Sequence, residues 1–79
     1  MSMRLTDTLG MLSTARQYVT DGERYVSKQR AFVERLEHKG LDADEAIDYL
    51  ETLEEMQAEY VDHMEKLEQQ VLLLVRPHD

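Results

Sequence analysis

The chain contains no cysteine and no tryptophan, one proline, and three glycines among its 79 residues. Without cysteine it forms no disulfide and offers no thiolate to a metal ion, so neither device can staple so small a domain. With proline only at position 77 and glycine only at positions 10, 22 and 40, few places can break a helix. The same scarcity excludes a glycine-rich turn that cradles phosphate. Basic residues are few: nine Lys and Arg stand against seventeen Asp and Glu, a net charge of −8. That balance speaks against direct binding to nucleic acid or to an anionic membrane, both of which reward clustered positive charge. Long hydrophobic runs are missing too. The longest, residues 71–75, has five residues, where a bilayer span needs ~20. The opening residues hold no apolar segment of the signal-peptide kind, so a soluble, cytoplasmic protein is expected.

What the chain has instead is a strict repeat. Apolar doublets recur every seven residues, at Met11-Leu12, Tyr18-Val19, Tyr25-Val26 and Phe32-Val33. A seven-residue apolar period marks a helix that buries one continuous stripe against another helix. The spacing predicts a first helix over about 5–38, with a seam of Leu12, Ala15, Val19, Gly22, Val26, Gln29, Val33 and Leu36. Gly40 then ends it from the left-handed conformation that glycine adopts cheaply. A second helix is predicted over about 43–75, its seam running through Ala43, Ala46, Leu50, Leu53, Gln57, Tyr60, Met64, Leu67, Val71 and Leu74. Asp42 is its expected N-cap, with Glu45 completing a pair like a capping box, and Pro77 closes it. So short a connection makes the helices antiparallel neighbours in one all-α hairpin domain covering residues 1–79.

Gly22 is the ambiguous point. Thr20 and Glu23 match a capping box, and a glycine inside a helix costs ~1 kcal/mol. The doublets nevertheless keep their phase through this segment, which predicts one continuous helix, bent at Gly22 if anywhere. Folding the chain about residue 41 places Gly22 opposite Tyr60, where the absent side chain would receive a ring. Gln29 and Gln57 also fall on the seam, either as a buried polar pair that sets register or as amides that reach solvent at its edge.

Charge divides unequally between the helices. Residues 5–39 hold six basic and five acidic side chains, a net of +1, whereas residues 42–75 hold one and eleven, a net of −10. Arg16, Arg24, Lys28, Arg30 and Arg35 can therefore face the acidic helix and favour its pairing within the chain. A lone hairpin leaves much apolar surface over: Leu9, Met11, Tyr18, Tyr25 and Phe32 on the first helix, and Ile47, Tyr49, Met56, Val61, Leu72, Leu73 and Val75 on the second. Closing two hairpins into a four-helix bundle would cover it. A homodimer is expected, with Met11, Tyr18, Tyr25, Phe32, Tyr49, Met56, Leu72 and Leu73 in its interface.

Candidate chemistry is sparse. Glu51, Glu55 and Glu59 lie one turn apart and His63 follows. Carboxylate bundles that hold paired metal ions use a Glu-x-x-His offset of three; here Glu59 to His63 and Glu34 to His38 are both offset by four. No metal, cofactor or catalytic residue is expected. Ser13, Thr14 and Ser27 have no histidine placed to activate them, and His38, His63 and His78 read as surface residues. The leading function is a non-enzymatic interaction, regulatory or scaffold module. Its acidic face of Asp48, Glu51, Glu55, Asp62 and Glu65 is the candidate docking surface for a basic protein partner. Two alternatives are a carboxylate-rich metal-binding bundle and an acidic inhibitor that occupies a nucleic-acid-binding protein.

The stretch Gly22 to Arg30, the segment Leu36 to Ala46, Leu50, and Glu54-Glu55-Met56-Gln57 resemble a group of small bacterial helical-hairpin proteins to which no activity is attached. The likeness covers about residues 16–69, and its most specific element is the turn Gly40-x-Asp42-x-x-Glu45-Ala46. It implies a hairpin and a helix that continues through Gly22, and it implies no reaction. Secreted hairpins with a Trp-x-Gly turn are a poor match, since tryptophan is absent.

Overall fold

The computed structural model describes residues 3–76, which form two helices, α1 (Met3–His38) and α2 (Asp44–Val75). They pack against each other as an antiparallel hairpin 63 Å long and about 16 Å wide. α1 starts two residues before the expected Leu5 and passes through Gly22 without a break. α2 ends at Val75 as expected; Pro77 and His78 lie outside the described residues.

The turn shows why the chain reverses here. Gly40 has φ of +70°, the left-handed geometry its missing Cβ permits. Around it, the Leu41 N–H donates to the Leu36 carbonyl at 2.9 Å and the Gly40 N–H to that of Glu37 at 3.0 Å. These two bonds close a Schellman motif and satisfy carbonyls that the end of α1 would otherwise leave open. The cap of α2 differs from the expected box. The N-cap position falls on Ala43, and Asp42 acts from one residue earlier, its Oδ1 accepting the Asp44 N–H at 3.0 Å. Asp44 and Glu45 then place negative charge on the first turn of α2, and Arg35 places positive charge on the last turn of α1. Both suit the helix dipoles.

Every seam residue named from the sequence faces inward, buried or half-buried. The core divides in two. Leu12, Ala15 and Leu67 form a cluster near the termini, flanked by Met64 and Val71. Val33, Ala43 and Ala46 form another near the turn, flanked by Leu36, Ile47 and Leu50. Ile47, expected to be left over, is half-buried against the second cluster, and Val61 is half-buried too. Two glutamines lie between the clusters. The Gln57 amide donates to the Val19 carbonyl at 2.9 Å, and the Gln29 amide to that of Ala46 at 2.9 Å. Each glutamine thus ties its helix to the backbone of the other, rather than pairing with its counterpart.

Gly22 is a packing device, but its occupant is Gln57 and not Tyr60. A Cβ on Gly22 would overlap the Gln57 carboxamide, coming within 2.8 Å of its Cδ. The register that joins Leu12 to Leu67 and Val33 to Ala46 also brings Gln57 to Gly22. That is three residues short of the partner obtained by folding about residue 41, because the turn lies unevenly between the two helix ends. Gly10 has no such reason. A Cβ there meets nothing within 4 Å, so Gly10→Ala should stabilise the hairpin by ~1 kcal/mol through helix propensity. A urea midpoint that rises without a change in slope would confirm this.

The core is thin. Among the described residues no side chain is completely buried. The chain exposes 6367 Å², whereas a compact monomer of 9.3 kDa exposes about 5,000 Å². Its radius of gyration is 18.0 Å, against roughly 12 Å for a globular chain of this length.

Candidate interaction surface

The hairpin has two unlike flanks, and the heptad explains both. In an antiparallel pair, the residues just before one seam row on each helix face one another across the groove, and those on the other side of the seam do the same. On one flank the meeting residues are charged: Arg16 Nη2 reaches Glu68 at 3.3 Å and Arg30 Nη2 reaches Glu54 at 2.9 Å. Of the five basic residues expected to face the acidic helix, these two do. Arg24 turns to Asp21 on its own helix at 3.9 Å, Arg35 lies 5.7 Å above the Phe32 ring, and Lys28 sits beside Asp21, Arg24 and Tyr25.

On the other flank the meeting residues are apolar or aromatic, and no ion pair closes it among the described residues. Met11, Tyr18, Tyr25 and Phe32 line the α1 side, and Tyr49 and Met56 the α2 side, all of them exposed. A groove of about 390 Å³ runs between the helices here. All four tyrosines of the chain line it, with Leu53 and Met56 beside them and Gly22 and Gln57 at its floor. Tyr18 and Tyr60 stack across it, centroids 5.5 Å apart and planes 16° from parallel, a geometry that aromatic pairs favour. The flank continues past Tyr18 to a hollow bordered by Met11, Thr14 and His63. Beneath the groove, Gln57 Oε1 is buried without a hydrogen-bond partner among the described residues and lies against Gly22. Such an acceptor costs ~1–3 kcal/mol, the expense of holding the Gln57 amide on Val19.

Six of the eight residues assigned from the sequence to a dimer interface therefore share one flank. Leu72 and Leu73 do not. They are exposed near the termini, where Leu73 borders a separate hollow with Arg4, Thr8, Gln70 and Leu74. The sidedness of the flank was visible in the heptad, in the contrast between residues 11, 18, 25 and 32 and residues 16, 23, 30 and 37.

Asp48, Glu51, Glu55, Asp62 and Glu65 are all exposed on α2, with Asp62 held by Lys66 at 3.0 Å. Among the described residues no three His, Asp or Glu side chains gather where they could hold an ion. Steps of four advance about 40° beyond a full helical turn, so Glu51, Glu55, Glu59 and His63 spiral around α2 instead of converging. Among the described residues, no helix is long and apolar enough to cross a membrane.

No protein-family model matches this chain, and neither a curated protein nor a solved structure does. Functional inference rests on the surface itself.

Proposed function

We propose that the protein is a non-enzymatic, self-associating helical hairpin, an interaction or scaffold module that works as a homodimeric four-helix bundle. The unequal flanks carry this reading. One side is closed by Arg16–Glu68 and Arg30–Glu54, and the other presents a surface rich in tyrosine and methionine. With only one adhesive side, a two-fold pairing uses up the surface and closes at two copies, whereas two adhesive sides would build an open array. The acidic outer surface of α2, from Asp48 to Glu65, stays outward in such a bundle and is where a basic protein would dock. Sedimentation equilibrium at micromolar concentration should return twice the chain mass of 9.3 kDa. A single-chain mass would overturn the proposal.

A further inference from the structure

Taking that dimer as its basis, we infer that the two copies join with their turns at the same end, so that each α1 lies against the partner's α2. The two-fold axis then runs along the length of the hairpins. A hairpin with one adhesive flank has two symmetric ways to meet a second copy face to face. With the axis along the length, α1 packs on α2 and turn lies beside turn. With the axis across the length, α1 packs on α1, α2 packs on α2, and each turn lies beside the other copy's termini.

Charge separates the two. Residues 42–75 carry a net of −10 and residues 5–39 a net of +1. Packed helices lie about 8–10 Å apart, close to the screening length of about 8 Å at physiological salt, so charges on neighbouring helices still sense one another. The crosswise arrangement sets the acidic helix against its own copy over its whole length. The lengthwise arrangement makes every neighbouring pair of helices an unlike pair, repeating between copies the selection already made within the hairpin.

The ends separate them again. The terminal end is apolar on several sides, with Leu9, Leu72, Leu73 and Val75 all exposed. The turn end is mainly polar, with Glu37, His38, Lys39, Asp42 and Glu45 exposed around the exposed Leu41. Turn beside turn brings apolar end to apolar end and polar end to polar end. The crosswise pairing would lay leucines against the charged turn of the other copy.

The rim of the groove fits the same arrangement. Applying the register of the hairpin between copies places Arg35 level with the partner's Asp44 and one residue from the partner's Glu45, near the turn. The like-charge meeting it produces is Asp21 with the partner's Glu59. Asp21 already accepts from the Gln17 amide at 3.0 Å and has Arg24 at 3.9 Å, which softens that contact.

The chain has no cysteine, so a single spin label can be attached at an introduced cysteine with no competing native thiol. Lys39→Cys labels the turn and Gln69→Cys labels the terminal end, both on exposed side chains. Pulsed dipolar measurements should give distances below roughly 35 Å for both labels, the width of two helix layers plus the label arms. For Lys39→Cys, a distance approaching the 63 Å length of the hairpin would overturn the inference and leave the dimer standing. Absence of a dipolar signal, together with a single-chain mass for the labelled protein, would overturn the dimer itself and assign the groove to a different protein. Ser27→Cys, near mid-length, should give a short distance in either pairing and so reports association alone.

Discussion

Leu67→Ala should lower the stability of the hairpin by about 3 kcal/mol and bring its urea midpoint well below that of the wild type. Leu67 is 4% exposed and closes the terminal cluster against Leu12 and Ala15, with Met64 and Val71 around it. An alanine there removes three carbons from a cluster whose opposite wall already includes the alanine at position 15. The surrounding side chains are held on two long helices and can collapse into the space only in part, so a cavity term adds to the lost transfer energy. The loss is large against the total. A domain of this length has ~5–10 kcal/mol of stability, and no fully buried side chain stands in reserve among the described residues. Leu41→Ala is the comparison, because Leu41 is more than half exposed in the turn and its truncation should change stability by less than ~0.5 kcal/mol. Urea titrations followed by circular dichroism, at one protein concentration so that mass action is held fixed, measure both. Equal midpoints for the two variants would show that the seam is not what holds the helices together.

The seam was legible because its signal is redundant. Each helix presents its apolar row several times over, and a heptad maintained through Gly22 leaves only one phase for the helix to follow. The Schellman turn was legible for a different reason: only glycine takes the left-handed position cheaply, and Gly40 stands alone between two apolar periods. What could not be read was the offset between the helices. A chain that folds about residue 41 and one whose register joins Leu12 to Leu67 differ by three residues across the seam, and both keep apolar rows in contact. The difference decides whether Gly22 receives Tyr60 or Gln57, and with it whether Tyr60 is free to stack on Tyr18. The roles of the glutamines were hidden for a related reason, since their acceptors are the backbone carbonyls of Val19 and Ala46, which no side-chain pattern encodes. Leu72 and Leu73 show the limit of counting leftover apolar residues. Hydrophobicity puts them with the tyrosines, and their positions on the helix put them elsewhere.

Tyr25→Ser with Phe32→Ser should convert the proposed dimer to monomer at micromolar concentration and remove much of the helical signal. Neither ring contributes to the buried clusters within the hairpin; Tyr25 is 61% exposed and Phe32 41%. A monomer-only account therefore expects little from the change beyond loss of the Arg35 contact on Phe32, worth ~0.5–1 kcal/mol at an exposed site. A two-fold interface removes each ring twice. Burying the remaining exposed part of a large ring contributes ~1–2 kcal/mol, so four lost rings weaken association by about 4–8 kcal/mol, or roughly 10³–10⁶ in Kd. Helicity follows because the single hairpin exposes well over the surface of a compact chain of its mass and depends on the second copy to cover it. Sedimentation equilibrium and the concentration dependence of ellipticity read the two consequences separately. Arg30→Gln makes the contrast on the opposite flank. It removes an exposed ion pair with Glu54, a change of ~0–1 kcal/mol, and should leave the dimer mass unaltered. If the serine pair also kept that mass and its Kd, the tyrosine flank could not be the interface, because nothing else distinguishes the two sides of this hairpin as strongly as those rings.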